Sequence, residues 1–332
     1  TKLLEKSARE EDYTAETLVR EQAKPQIQTE TVDSFYRRTI AQLKQEGAVG
    51  NAYAYMNSYY LLKKFNDDKP LSCLFSQIDD AFLSAFESWM RSRGNKETTL
   101  SFQMRTLRAV FNRAVKAKIV SKEKNPFAEY KISKFNTRTP KRALSKADIM
   151  KIVNADCTLE KPVCRLAHDL FVFSYLCGGI SFVDIANLTP ESIAEGRLIY
   201  RRQKTHGAIN IPFSEQAKVI AEKYAAYCEH AGYLFPILNM HRHITPQQKQ
   251  NRVHKVCRQV NLALQDFAKR QGIKATVTTY VARHSFATVL KKSGVNIGII
   301  SEALGHHSLK TTQIYLDSFE NSQIDAAMQN LL

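Results

Sequence analysis

The sequence predicts a mainly α protein: an N-terminal helical bundle, then a mixed but mainly α domain holding one small antiparallel sheet. Three observations predict it. Apolar residues recur at the helical period from Thr31 to Lys118 and again from Ser145 onward. Between these regions, residues 131–142 are basic and carry Pro140, which reads as an extended linker. A single pair of segments alternates at the strand period, around Thr205-His206-Gly207. A chain of 332 residues is comfortable for two domains. The expected divisions are a tail or connector over 1–30, a helical domain over 31–130, a linker over 131–143 and a second domain over 144–332.

The helical signals run in order. Phe35, Ile40 and Leu43 form the first stripe, which Gly47 ends. A second helix follows Gly50, with Tyr53, Met56, Tyr60, Leu61 and Phe65 on its expected apolar face. Asn66-Asp67-Asp68-Lys69-Pro70 breaks the pattern. A third helix starts near Asp79 with Phe82, Phe86, Trp89 and Met90, and Arg93-Gly94-Asn95 stops it. The fourth runs from about Thr98 to Lys118 on Leu100, Met104, Leu107, Val110, Phe111 and Val115. Its other positions include Arg105, Arg108, Arg113 and Lys116, a flank suited to phosphate contact. Beyond the linker, Ser145 is an N-cap with Asp148 in the first turn. A long apolar helix is expected over Pro162–Leu176, then a glycine pair and a short helix over Phe182–Leu188. Gly196–Lys204 and Ala208–Phe213 supply the hairpin, and residues after Ser214 read mostly as helix.

Hydrophobic residues make up 44%, enough for a true core, and the formal net charge of +16 calls for a polyanionic partner, most simply nucleic acid. No apolar run reaches the ~18 residues needed to cross a bilayer. No secretory signal is evident, and Thr1 reads as the start of a fragment or processed chain. The six cysteines are scattered without a Cys-x-x-Cys pair, so they read as reduced core thiols in a cytoplasmic protein. His241-x-His243 lies in a polar loop without carboxylates or cysteines beside it, which argues against a metal.

The chemistry concentrates near the C-terminus. Thr279-Tyr280-Val281-Ala282-Arg283-His284-Ser285-Phe286-Ala287-Thr288 is followed by Leu304-Gly305-His306-His307-Ser308 and by Thr311-Thr312-Gln313-Ile314-Tyr315. Arg283 offers a planar fork for phosphate oxygens. His306 offers hydrogen bonding or proton movement. Tyr315, nine residues after His306, offers a phenol able to form a covalent phosphotyrosyl link. Together the three segments resemble the C-terminal signature of the tyrosine recombinases, also called phage-type integrases. The resemblance is close over the catalytic half and looser from about residue 30 onward.

The resemblance implies a core-binding, SAM-like first domain and a recombinase catalytic second domain. They would clamp double-stranded DNA, four protomers to two duplexes. It implies site-specific cutting and rejoining through a 3′-phosphotyrosyl intermediate, with neither nucleotide cofactor nor metal. Tyr315 takes the nucleophile position, Arg283 that of the second arginine, and His306 that of the later histidine. Lys204, at the hairpin tip, takes that of the lysine that protonates the leaving 5′ oxygen. Two positions depart. Tyr280 stands where a histidine is usual, and Ser181 stands where the first arginine is usual. The segment Ser181-Phe182-Val183-Asp184 is similar to that of integrases from conjugative and other mobile elements. Arg165 on the preceding helix is a candidate substitute cation, and Arg201 or Arg202 is another. Asp184 reads as a helix-cap or orienting carboxylate. Expected DNA contacts are Arg105, Arg108, Arg113, Lys116, Arg138, Lys141, Arg142 and Arg202. After Tyr315, an apolar stripe on Phe319, Ile324, Met328 and Leu331-Leu332 suits a short helix packing on a neighbouring protomer. The alternatives are a catalytically weakened DNA-binding member of the family, or a type IB topoisomerase-like activity.

Overall fold

The computed structural model describes residues 30–137, 142–306 and 308–315, with Ile314 and Tyr315 described through their backbone alone. The expected N-terminal tail, Arg138, Lys141, His307, the C-terminal apolar stripe and the Tyr315 side chain lie outside the described residues. The chain forms two compact units that divide near residue 138.

The first unit holds α1 (Val32–Gln45), α2 (Val49–Phe65), α3 (Asp80–Ser92) and α4 (Glu97–Lys116). Thr31 caps α1 by accepting from the Ser34 amide, and Asp79 caps α3 by accepting from the Phe82 amide. On α2, Met56, Leu61 and Phe65 pack partly buried against the core as expected, but the most deeply buried line is rotated from them. Ser58, Tyr59 and Leu62 are buried, whereas Tyr60 is 53% exposed. Polar contacts set that rotation: the Tyr59 hydroxyl donates to Asp33 Oδ1 at 2.7 Å, and the hydroxyls of Tyr36 and Ser58 pair at 3.0 Å. A buried phenol needs such a partner.

Part of the expected linker packs on the first unit. Ile132 and Phe135 are buried in the first core, and residues Ile132–Lys134 form a 3₁₀ turn. The chain therefore leaves this unit after Phe135, because two apolar side chains in the basic stretch find the core of α4. Along α4, Arg105, Arg108, Arg113 and Lys116 are exposed opposite the buried set Leu100, Met104, Leu107, Val110 and Phe111.

In the second unit, α5 (Lys146–Val153) is capped by Ser145. The central helix α6 (Pro162–Leu176) packs against α5, α7 (Phe182–Ala186), α8 (Glu215–Glu222), α10 (Pro246–Arg270) and α11 (Thr279–Lys292). Its Leu170, Phe171 and Phe173 are wholly buried, each contributing about 1.5–3 kcal/mol of burial relative to exposure. The sheet has the order β1 (Ile193–Ala194), β2 (Arg197–Arg201), β3 (Ala208–Pro212), all antiparallel. The hairpin register pairs Arg197 with Pro212 and Arg201 with Ala208, so residues 202–207 form the connection. This is a wider connection than the three-residue turn expected. Helix α9 (Ala225–Ala231), α12 (Ile297–Ala303) and α13 (Leu309–Tyr315) complete the unit. Among the described residues, no helix is long and apolar enough to cross a membrane.

Candidate active site

Three elements meet at one point of the second unit: the turn after α6, the base of the β2–β3 connection, and the turn from α12 into α13. Arg283, buried in α11, reaches all of the surrounding acceptors. Its Nη1 donates to the Gly179 carbonyl at 2.8 Å, and its Nη2 donates to the Leu304 carbonyl. The same Nη2 lies 3.0 Å from His306 Nε2. Such proximity of helix and turn depends on glycine. Gly179 has φ +66°, and a Cβ there would lie 2.9 Å from Arg283 Cα.

A second guanidinium joins the first. Arg202 is buried, and its Nη1 donates to the carbonyls of Leu304 at 3.2 Å and Gly305 at 2.9 Å. Thus both arginines satisfy carbonyls at the C-terminal end of α12 that helical bonding leaves open. Gly305, at φ +61°, makes room: a Cβ would meet Arg202 Cδ at 2.7 Å. Arg202 Nε is buried without a hydrogen-bond partner among the described residues, 3.7 Å from Asp184 Oδ2. Asp184, also buried, accepts from the Ser181 hydroxyl at 2.6 Å and from the Gln203 amide at 2.8 Å.

His306 completes the cluster. A guanidinium only donates, so Nε2 is the acceptor and the ring proton resides on Nδ1. Nδ1 lies 2.9 Å from Thr312 Oγ1, and Thr312 is wholly buried in α13. Burial, then the charges of Arg283 and Arg202, pushes the imidazole down to about 4. Protonation is therefore harder in the folded chain than in the unfolded one, where the ring titrates near 6.5. The stability linked to His306 is complete above pH 6.5 and is lost as pH falls toward 4. We expect the unfolding midpoint of the wild type to fall across that window more than that of His306→Gln. Equal falls would show that the ring is not held neutral. Two guanidiniums, one carboxylate and a neutral imidazole leave the cluster net positive in a water-poor setting, which favours an anion.

The structure brings Arg283, His306 and Arg202 together. It places Arg202 inside the cluster, not among exposed DNA contacts. Ser181 caps α7 and donates to Asp184. Lys204 is exposed at the hairpin tip, directly after the Gln203 amide that Asp184 anchors. Tyr280 is 45% exposed, with its ring edge-on to His284 at 4.7 Å. Arg142 is exposed at the start of the second unit.

Arg165 lies elsewhere. It is exposed and donates to the Thr158 carbonyl at 3.4 Å. It lines a half-open cavity of about 840 Å³ with Asp169, Lys223, Tyr224 and Arg252. That end of α6 is roughly 16 Å of helical rise from Leu176, which precedes the Gly179 turn. The sizeable cavity and the chemical cluster are therefore different places. Sequence reasoning gave no role to Thr312, Gly179 or Gly305. The adjacent threonines before Tyr315 were the available signal for Thr312.

Residues 31–132 match the phage integrase SAM-like domain, and residues 142–322 match the phage integrase family. The chain belongs to the phage integrase family. The tyrosine recombinase XerC of Thermodesulfovibrio yellowstonii is 28% identical over 251 residues, covering 72% of this chain and 77% of that relative. The tyrosine recombinase XerA of Pyrococcus horikoshii is 29% identical over 278 residues, covering 82% and 85%. Among solved structures, the integrase of the Tn1549 transposon in complex with transposon right end DNA aligns with a TM-score of 0.62 at 17% identity, covering 91% of this chain and 99% of that one. A lambda integrase dimer bound to a COC′ core site aligns at 0.61 and 18% identity, covering 88% and 99%. At these identities the structural likeness is one of fold. This chain carries a second buried arginine, Arg202, beside Arg283.

Proposed function

We propose that the chain is a site-specific DNA recombinase that cuts and rejoins double-stranded DNA through a tyrosine-linked intermediate. The observation that carries this reading is the buried Arg283–Arg202–His306 cluster. Its excess positive charge suits a phosphate, and it is hydrogen-bonded to the very helix that ends in Tyr315. In this reading the Tyr315 phenol attacks the scissile phosphorus. The P–O5′ bond breaks, and Lys204 protonates the departing oxygen. Arg283 and Arg202 stabilise charge on the non-bridging oxygens, while His306 exchanges a proton at Nε2. A 5′ hydroxyl of the partner strand then reverses the chemistry, which conserves the bond energy.

Arg202, not Arg165, is the cation we assign to the role that the usual first arginine would fill. Ser181 supports it indirectly, through Asp184. The exposed row Arg105, Arg108, Arg113 and Lys116, together with Arg142, is assigned to the DNA backbone. A homotetramer on two duplexes is the assembly we assign. Lambda integrase has been solved as a dimer on a core site and as a tetramer bound to a Holliday junction.

A duplex nicked beside the cut site traps any covalent product. We expect a denaturant-resistant protein–DNA complex with the wild type and none with Tyr315→Phe. A wild type that binds DNA without forming this complex would make the chain a DNA-binding relative. Relaxation of plasmids without a defined site would favour the topoisomerase-like alternative.

A further inference from the structure

The reaction outlined above gives Thr312 no part, yet its side chain is wholly buried against the one histidine of the cluster. Two distances define its role. His306 Nε2 lies 3.0 Å from Arg283 Nη2, and His306 Nδ1 lies 2.9 Å from Thr312 Oγ1. Because the arginine side cannot accept, the neutral ring must carry its proton on the threonine side. Thr312 also lies in α13, three residues ahead of Tyr315, so one hydrogen bond joins the nucleophile's helix to the arginine cluster.

We propose that Thr312 is a positioning residue: by accepting the Nδ1–H that the Arg283 contact dictates, it fixes the plane of the His306 ring, keeps Nε2 aimed into the arginine cluster, and makes this orientation depend on the docking of α13. The use made of the proton rests on the recombinase reading; the orientation does not. In that use Arg283 Nη2 turns from Nε2 to the bound phosphate, and the phenol proton passes to the freed Nε2 lone pair as the O–P bond forms and P–O5′ breaks. The imidazolium then keeps Nδ1–H on Thr312. When the incoming 5′ hydroxyl breaks the phosphotyrosyl bond, its own proton goes to the Lys204 amine and the Nε2 proton returns to the tyrosine oxygen. The charged groups facing the ring are Arg283 from α11 and Arg202 from the hairpin base. Both oppose an imidazolium in the free protein, and the negative charge of a bound phosphate offsets them. Accepting a proton is thereby tied to having substrate in place.

The test combines a spectrum with a rate. Long-range ¹H–¹⁵N spectra, with His306 assigned by loss in His306→Gln, report which ring nitrogen is protonated. We expect protonated Nδ1 throughout, with a proton protected from solvent exchange in the wild type and in Thr312→Ser, and exchanging rapidly in Thr312→Val, where no hydroxyl accepts it. Thr312→Ala repeats the measurement should valine perturb folding. On the nicked duplex, Thr312→Ser keeps the wild-type rate. Thr312→Val loses roughly 10–100-fold, the effect typical of removing the outer partner of a functional histidine. A Thr312→Val protein whose Nδ1–H stays protected from exchange, or that cleaves at the wild-type rate, overturns the proposal while leaving the recombinase reading intact. A wild type that forms no covalent complex sinks the recombinase reading, and the spectra then still decide whether Thr312 holds the ring.

Discussion

Replacing Arg202 with alanine lowers covalent-complex formation on a nicked duplex by roughly 10²–10³, the usual effect of removing one preorganised charge contact to a transition state. Arg165→Ala, assayed beside it, leaves the rate within experimental scatter. The contrast follows from place, since both side chains carry the same charge. Arg202 shares the Leu304 carbonyl with Arg283, and its Nε lies between Asp184 and the cluster without a hydrogen-bond partner among the described residues. Arg165 is exposed at the far end of α6, where water screens it. Because Arg202 also caps α12, Arg202→Ala needs a stability control. Arg202→Lys supplies a second arm: an ammonium restores charge without the fork and should recover only part of the rate. Full activity in Arg202→Ala, or loss in Arg165→Ala at unchanged folding, would reverse the assignment.

The substitution Arg283→Lys is expected to remove cleavage by about 10³ or more, beyond what charge loss would explain, since the charge is kept. Arg283 simultaneously meets the Gly179 carbonyl, the Leu304 carbonyl and His306 Nε2 from one rigid plane. A lysine is a point donor on a flexible stem and cannot hold all three. Each buried acceptor left without a partner costs about 1–3 kcal/mol. In a domain of this size, each kcal/mol lowers the unfolding midpoint by about 2–4 °C. Differential scanning calorimetry of the variant should therefore show a clear fall in midpoint alongside the lost cleavage. An unchanged midpoint would mean that these carbonyls find other partners, and that the fork is not what ties α11 to the turns around it.

Much of the fold is legible without coordinates, and the exceptions have physical causes. The stripes of α1, α3 and α4 follow the helical period because each buries one face against a single core. In α2 the period misleads in part: Met56, Leu61 and Phe65 reach the core, but Tyr60 is exposed and the deepest contacts run through Ser58 and Tyr59. Hydrogen bonds to Tyr36 and Asp33, residues of another helix, settle that rotation. Ile132 and Phe135 are unreadable for a similar reason: two apolar residues among lysines look like linker until a core is present to receive them.

The candidate site divides in the same way. The grouping of Arg283 with His306 was readable from order and spacing, because a short helical region carries both. Arg202 was one of several candidate cations, Asp184 was read as a cap or orienting carboxylate without a named partner, and Thr312 had no role, because each acts through a partner distant in sequence or through a turn whose conformation depends on glycine at positive φ.

By itself the amino-acid sequence determined which chemical groups are available: a phenol, an arginine fork and an imidazole at fixed intervals on helices that local periodicity can form. Only the tertiary structure decided which second cation joins them and which ring nitrogen bears the proton. Those choices depend on distances between α6, the hairpin base, α11 and α13. Such distances are set by packing of a shared core, and no local pattern of residues encodes them.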